Sequence, residues 1–452
     1  MTVDAPPTPA PAARRGRPGW LGWVACAAIV VVGSLPVTLH YLVFWPLDQW
    51  QVDVEVYRMA GQSIIIGRPV YDAMTESPQL LPSTYPPFAA LLAIPLALVP
   101  FGVVGWLWTA LQLVATTAIV WYAGWRLIHR AGRRAPILLG LLTVPMLWIQ
   151  PVSDGIRFGQ VNAFIVLACL MDLRRPRPRL VRGIPPGVLV GLATAIKLTP
   201  GVFVVHYAVN RRWREARHAV AAAALVTVLA WLLLPENSFA FWGGALSDPA
   251  RLGPNRGTSN QSIRGVLLRI GPDGTAGTLV WLVLVAVVGV LGFRLARRMW
   301  QQDDSIGEVA VVGLLAVLLS PVAWIHHLHW LVVVVFALLG PDPLRDRRRL
   351  WSALLVTAWF TCRLEWWGVS WIAAPLHPVW FGRVLQNSGC LGALVALGLL
   401  WWVTNPRPAS DDPGDLQGGD EGEEQADTAA DAADHDDRYA GEEHPAEERS
   451  EA

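Results

Sequence analysis

The stretch that decides the fold is WLGWVACAAIVVVGSLPVTLHYLV, residues 20–43, followed at once by FWPLDQWQVDVEVYR, residues 44–58. The first part is an uncharged apolar run longer than the roughly 20 residues needed to cross a bilayer core. The second is aromatic and then acidic, as expected where a span reaches the water interface. No small-residue cleavage site follows the run, so it reads as a retained anchor and not a removed leader. Asp53 and Glu55 stand just beyond its end.

Working outward, apolar runs recur at 103–125, 219–234, 278–293, 309–319, 328–339, 351–362 and 389–403. Trp and Tyr extend the shorter ones towards the interface. The 452 residues are 53% hydrophobic and only 16% charged, with a mean hydropathy of +0.39; soluble chains carry about 25% charged residues. These runs lack the polar face that a soluble helix needs. The sequence therefore predicts an all-α polytopic membrane protein of ten to twelve transmembrane or re-entrant helices.

The net charge of +1 hides an asymmetry. Residues 410–452 hold 17 of the 35 acids and two arginines, leaving 34 basic and 18 acidic groups in the rest. That tail is too polar to bury a core, and the Pro/Ala-rich start is similar, so residues 1–18 and 405–452 read as disordered cytoplasmic segments flanking a membrane domain at 19–404. Arginine clusters at 14–17, 129–134, 174–182, 211–217, 294–298 and 345–349 mark the cytoplasmic side. The outer loops then fall at 45–84, 150–162, 235–276, 320–327 and 363–387. Two segments resist this count. Residues 86–126 have room for two apolar segments where an odd number of crossings is required, and 182–211 is apolar with both ends cytoplasmic. Each is expected to enter the membrane without simply crossing it, broken by Pro86, Pro87, Pro95 and Pro100 in one case and by Pro200 and Gly201 in the other.

The chemistry concentrates in the outer loops. Asp53 and Glu55 could act as a base and its tuning neighbour, or could be acids of a solvated loop. Lys197 is the only lysine in the chain and sits inside a doubtful segment, where an ionisable group is costly unless it works or snorkels to the interface. Residues 154–162 (DGIRFGQVN) pack polar groups around two glycines, which suits amides aimed at sugar hydroxyls and suits plain turn chemistry equally well. His326, His327 and His329 sit at an outer edge; no acid accompanies them, so hydrogen bonding to phosphate or sugar is favoured over a metal site, with interface packing of the amphipathic rings as the plain alternative. Arg251, Arg256 and Arg264 lie in an outer loop against the positive-inside rule and call for an anionic partner. Glu365 is a further polar contact in the last loop. The four cysteines show neither metal-ligand spacing nor a disulfide framework, and the absence of a Gly-rich nucleotide loop disfavours a nucleotide-driven mechanism.

Taken in order, Asp53-Val-Glu55-Val-Tyr57, Tyr85-Pro-Pro-Phe88, Gly159-Gln-Val-Asn162, Lys197-Leu-Thr-Pro200, Asn260-Gln-Ser262 and Ser320-Pro-Val-Ala-Trp-Ile-His-His327 resemble the polyprenyl-phosphate-mannose-dependent mannosyltransferases of glycosyltransferase family 87, in the GT-C superfamily. The resemblance covers about Gly19 to Thr404. It implies a plasma-membrane enzyme with an extracytoplasmic active site and Asp53 as the catalytic residue. The donor would be polyprenyl-phosphate-mannose, used with inversion and without cofactor or metal. The acceptor would be a glycolipid of the phosphatidylinositol mannoside, lipomannan or lipoarabinomannan class, joined by α-1,2 linkage. Glu55 would tune the base or orient the acceptor, while Tyr85, Gln160, Asn162, Lys197, Arg264, His326 and His327 would bind donor phosphate or sugar. No nucleic acid is expected. A transporter or flippase of a lipid-linked sugar, a scaffold acting through the acidic tail and a GT-C enzyme with another lipid-linked sugar donor remain the alternatives; against the first, no internal repeat pairs with the break at Lys197.

Overall fold

The computed structural model describes residues 18–43 and 50–405. The two tails and residues 44–49, including the expected disorder of the termini, lie outside the described residues. Within them the chain is all-α, as the apolar runs predict.

Among the described residues, four helical segments have the length and hydropathy of a membrane crossing: Trp20–Leu39 (within the helix Trp20–Val43), Phe101–Ala123, Trp213–Leu233 and Gly274–Gln301. Three of these keep most of their apolar surface outward, with Leu225, Leu232 and Val283 well exposed, which suits helices whose solvent is lipid. The interior is built from shorter segments. Ser305–Leu318 and Leu331–Leu339 are buried on nearly every side, and a helix apolar all round belongs at the centre of a bundle. The first span lies along Ala135–Trp148, where a side chain on Gly33 would collide with Val144; the small residue lets the two backbones approach.

Two breaks in this framework create the site. At Ile149 the chain turns by 81° from Ala135–Trp148 into Gln150–Phe158. Pro151 cannot donate to the preceding turn, so the first helix stops and a new one starts. The stretch read as a polar outer loop with a Gly-containing turn is thus largely a helix, and only Gly159 to Val161 turns. Gly159 is left-handed (φ 72°), and a Cβ there would strike Gln51 and Val54.

The second break is at Lys197–Pro200, between helices Val188–Ile196 and Gly201–Val209. Each has nine residues, rising about 14 Å or half a bilayer core. Both are pinned at the end away from the break. Asp172 accepts from Gly187 N (2.9 Å) and Val190 N (3.0 Å), capping the first. Buried Glu308 pairs with His206 (2.9 Å), Arg212 (2.6 Å) and Arg175 (2.8 Å), holding the second. The other doubtful segment resolves into two short helices, Pro87–Leu92 and Ile94–Ala97, ahead of the single long helix Phe101–Ala123.

Candidate active site

The breaks open onto a cavity of about 1220 Å³, whose wall includes Asp53, Tyr85, Gln160, Lys197, His326 and His327. Residues far apart in sequence therefore share one chamber. Asn162 stands behind Lys197 instead of on that wall.

Asp53 lies in the first turn of Val52–Ile65. That helix is seated by Gln51, whose backbone N–H donates to Arg157 O (2.8 Å) and whose amide donates to Ile156 O (2.9 Å) and Thr109 Oγ1 (3.0 Å). Its start is thereby fixed to the end of Gln150–Phe158. Burial raises the Asp53 carboxyl to about 6, while the nearby Lys197 charge and a hydrogen bond from the Gln160 side chain pull the other way. Such a group is ionised near neutrality yet basic enough to accept a proton.

The Gln160 amide belongs to a directed chain. Tyr85 Oη donates to Gln160 Oε1 (3.3 Å), which turns the amide NH₂ towards Asp53. Tyr57 Oη lies 3.0 Å from Tyr85 Oη, and with the Tyr85 proton directed to Gln160 it is placed to donate to Tyr85. Gln160 is held in turn by Gln112, which donates to its backbone O at 2.7 Å. Tyr57 was not a sequence candidate, though it stands four residues after Asp53 and so on the same helical face.

Lys197 Nζ donates to Asn162 Oδ1 (3.0 Å) and lies 2.9 Å from His327 Nε2 and 5.5 Å from the Tyr85 ring centre. Asn162 Nδ2 donates to His326 O (2.8 Å), and Trp324 N donates to His327 Nδ1 (3.2 Å). The lysine is thus held from two sides, with its charge at the chamber wall.

Glu55 and Arg264 do not line this chamber. Two residues on a helix are about 200° apart, so Glu55 leaves Asp53 on the opposite side and accepts from Glu76 N at 3.4 Å. Burial and the charge of Glu76 raise its carboxyl. Arg264 stacks over Trp281, 4.9 Å from the ring centre, and donates to Thr278 (3.3 Å). Arg251 donates to Tyr71 O at 2.5 Å, and Arg256 pairs with Asp273 at 2.5 Å. Two of these outer-loop arginines thus have neutral partners and one has a carboxylate of the chain itself. Arg363 does reach the chamber; its outer-loop position was the signal that could have found it.

The Asn260–Ser262 motif is structural. Asn260 Oδ1 accepts from Ser262 Oγ (2.9 Å), Ser262 N (3.2 Å) and Ala323 N (3.0 Å). Gln261 donates to Gln386 O (2.9 Å) and accepts from Cys390 N (3.0 Å). These bonds fasten the outer loop to the histidine turn and to the last helix.

The sequence profile of glycosyltransferase family 87 matches residues 84–321. The chain is 31% identical over 394 residues to a polyprenol-phosphate-mannose-dependent α-(1-2)-phosphatidylinositol pentamannoside mannosyltransferase of Mycolicibacterium smegmatis, covering 85% of this chain and 92% of that one. It is 33% identical over 334 residues to a polyprenol-phosphate-mannose-dependent α-(1-2)-phosphatidylinositol mannoside mannosyltransferase of Mycobacterium tuberculosis, covering 67% and 74%. Among solved structures, ArnT from Cupriavidus metallidurans bound to undecaprenyl phosphate aligns over 84% of this chain and 77% of its own, with a TM-score of 0.38 and 16% identity. The profile match and the extent of these relatives establish that the chain, a multi-pass membrane protein, belongs to glycosyltransferase family 87.

Proposed function

We propose that the protein transfers mannose from polyprenyl-phosphate-mannose to a hydroxyl of a phosphatidylinositol-mannoside-type glycolipid, forming an α-1,2 linkage with inversion. The observation that carries this reading is Asp53, set in the wall of a large chamber near the only lysine of the chain. Family membership and the relatives' activities supply the substrate class.

In the proposed step the acceptor hydroxyl gives its proton to Asp53 as its oxygen attacks the anomeric carbon. The bond from that carbon to the phosphate oxygen breaks, and its electron pair leaves with polyprenyl phosphate. Gln160 holds Asp53 in place, and Lys197 both favours its ionised form and offers positive charge to the leaving phosphate. His327 and Asn162 fix the lysine. His326, on the same wall, is a hydrogen-bonding partner for phosphate or sugar. The sugar–phosphate ester supplies the driving force, so the step uses no cofactor. Apolar wall residues such as Phe241, Leu246 and Leu252 accommodate the prenyl chain. The arginine distribution supports a chamber on the outer face of the plasma membrane with both tails inside.

The test is transfer of labelled mannose from polyprenyl phosphate in membranes containing the protein. Transfer by the wild type, lost in Asp53→Asn at equal protein level, supports the reading. A fully active Asp53→Asn variant would remove Asp53 as the base.

A further inference from the structure

The chamber has a second polar pole, which the transfer step does not use. Asp154 and Arg157 reach it from Gln150–Phe158, and Arg363 from the turn after Arg347–Thr361. Arg363 Nη1 lies 3.2 Å from Asp154 Oδ1, and Nη2 donates to Ser153 Oγ at 2.7 Å, joining positions 210 apart in sequence. The backbone of Arg363 is left-handed (φ 51°, ψ 44°), a conformation that a side chain with a Cβ resists and that gathers at ligand clamps. Trp148 and Trp366 line the same chamber, each 43% exposed.

Within the Asp154–Arg363 pair the carboxylate repels an anion and takes up the guanidinium's charge, so the pair itself is a poor phosphate site; Arg157 lies over the Phe158 ring, 4.8 Å from its centre. The pair suits a vicinal diol well: one hydroxyl donates to the carboxylate while its neighbour accepts from the guanidinium. Indole faces take the apolar C–H face of a sugar ring, and a few convergent polar groups within apolar walls fix its orientation. Resting on the mannosyl-transfer reading above, we infer that the Asp154–Arg363 pole is the acceptor's carbohydrate subsite, holding a hexopyranose of the glycolipid by adjacent hydroxyls. The Lys197 pole is left to the donor phosphate. Specificity for the acceptor then resides on two segments that do not carry the base.

The test is equilibrium binding to the full-length protein in vesicles. One probe is a labelled glycolipid bearing two or more mannoses, and the other is labelled polyprenyl phosphate. Arg363→Gln and Asp154→Asn are expected to weaken glycolipid binding about tenfold or more and to leave polyprenyl phosphate binding within about twofold. Arg363→Lys should recover part of the loss, since it keeps the charge but not the planar fork. Retained polyprenyl phosphate binding shows that a variant has folded; if Arg363→Gln does not fold, Asp154→Asn and Arg363→Lys decide the matter. Weakened polyprenyl phosphate binding with unchanged glycolipid binding overturns the assignment and makes this the phosphate pole. Unchanged binding of both overturns it outright. A wild type that binds the glycolipid but transfers no mannose contradicts the transfer reading alone, whereas an active wild type with normal glycolipid binding in Arg363→Gln contradicts the subsite alone.

Discussion

Two of the polar clusters buried among the apolar helices differ in one respect. In the Asn260–Ser262 cluster the amides and hydroxyl answer one another: three groups donate to a single Asn260 oxygen, and Gln261 is engaged at both ends of its amide. In the Asp53–Gln160–Lys197–His327 cluster the chain of bonds ends at a chamber wall, with a carboxylate and an ammonium facing open space. The first is closed and braces the fold; the second is open and available to substrate. Polar residues among membrane helices are thus not alike, and closure of the hydrogen-bond set separates scaffold from site.

The sharpest way to break this comparison is Asp53→Asn. Removing a general base costs about 10²–10⁴-fold in rate, and the fold should survive, as judged by thermal unfolding of the purified protein. Lys197→Met should lower the transfer rate about 10- to 100-fold through the lost charge on the leaving phosphate, read from initial rates. It should also move the pH profile. Asp53 acts when deprotonated, so the wild-type rate should fall as pH drops through about 6. The Lys197 charge lowers that value; without it the acid limb moves to higher pH, and an unmoved limb would separate the two groups.

Asn260→Ala should show the reverse pattern. It leaves the N–H groups of Ala323 and Ser262 without their acceptor, each costing about 1–3 kcal/mol, while the Ser262 hydroxyl can still donate to Pro321 O. The expected result is a lower unfolding temperature with an unchanged pH profile in the protein that remains folded. Glu55→Gln comes last, with transfer within about twofold of wild type, because its carboxylate faces Glu76 and not the chamber.

Much of this was legible in the sequence, for identifiable reasons. Lipid solvent makes spans readable as apolar runs, and a lone lysine within such a run announces itself. Glu55 misleads because the spacing of two residues suggests partnership until the segment is known to be a helix, whose period then sets the two carboxylates apart. The Gln150–Phe158 helix was hidden by its polar residues and its Pro151, which mark a helix start as well as a loop. Asn260–Ser262 was conspicuous as a motif, but its partners are Ala323, Gln386 and Cys390, and no local pattern reveals pairings of that range. Arg363 broke the positive-inside rule as visibly as Arg264 did. Only the folded chain distinguishes the one that meets the chamber from the one that stacks on a neighbouring tryptophan.

The central claim is that Asp53 is the base of a mannosyl transfer from a polyprenyl phosphate. Its most direct test is the rate of labelled mannose transfer as a function of pH in vesicles holding equal amounts of wild-type and Asp53→Asn protein. The account predicts a wild-type acid limb near pH 6 and a variant rate at least about 100-fold lower with no such limb. A variant that retains both the rate and the limb would contradict it.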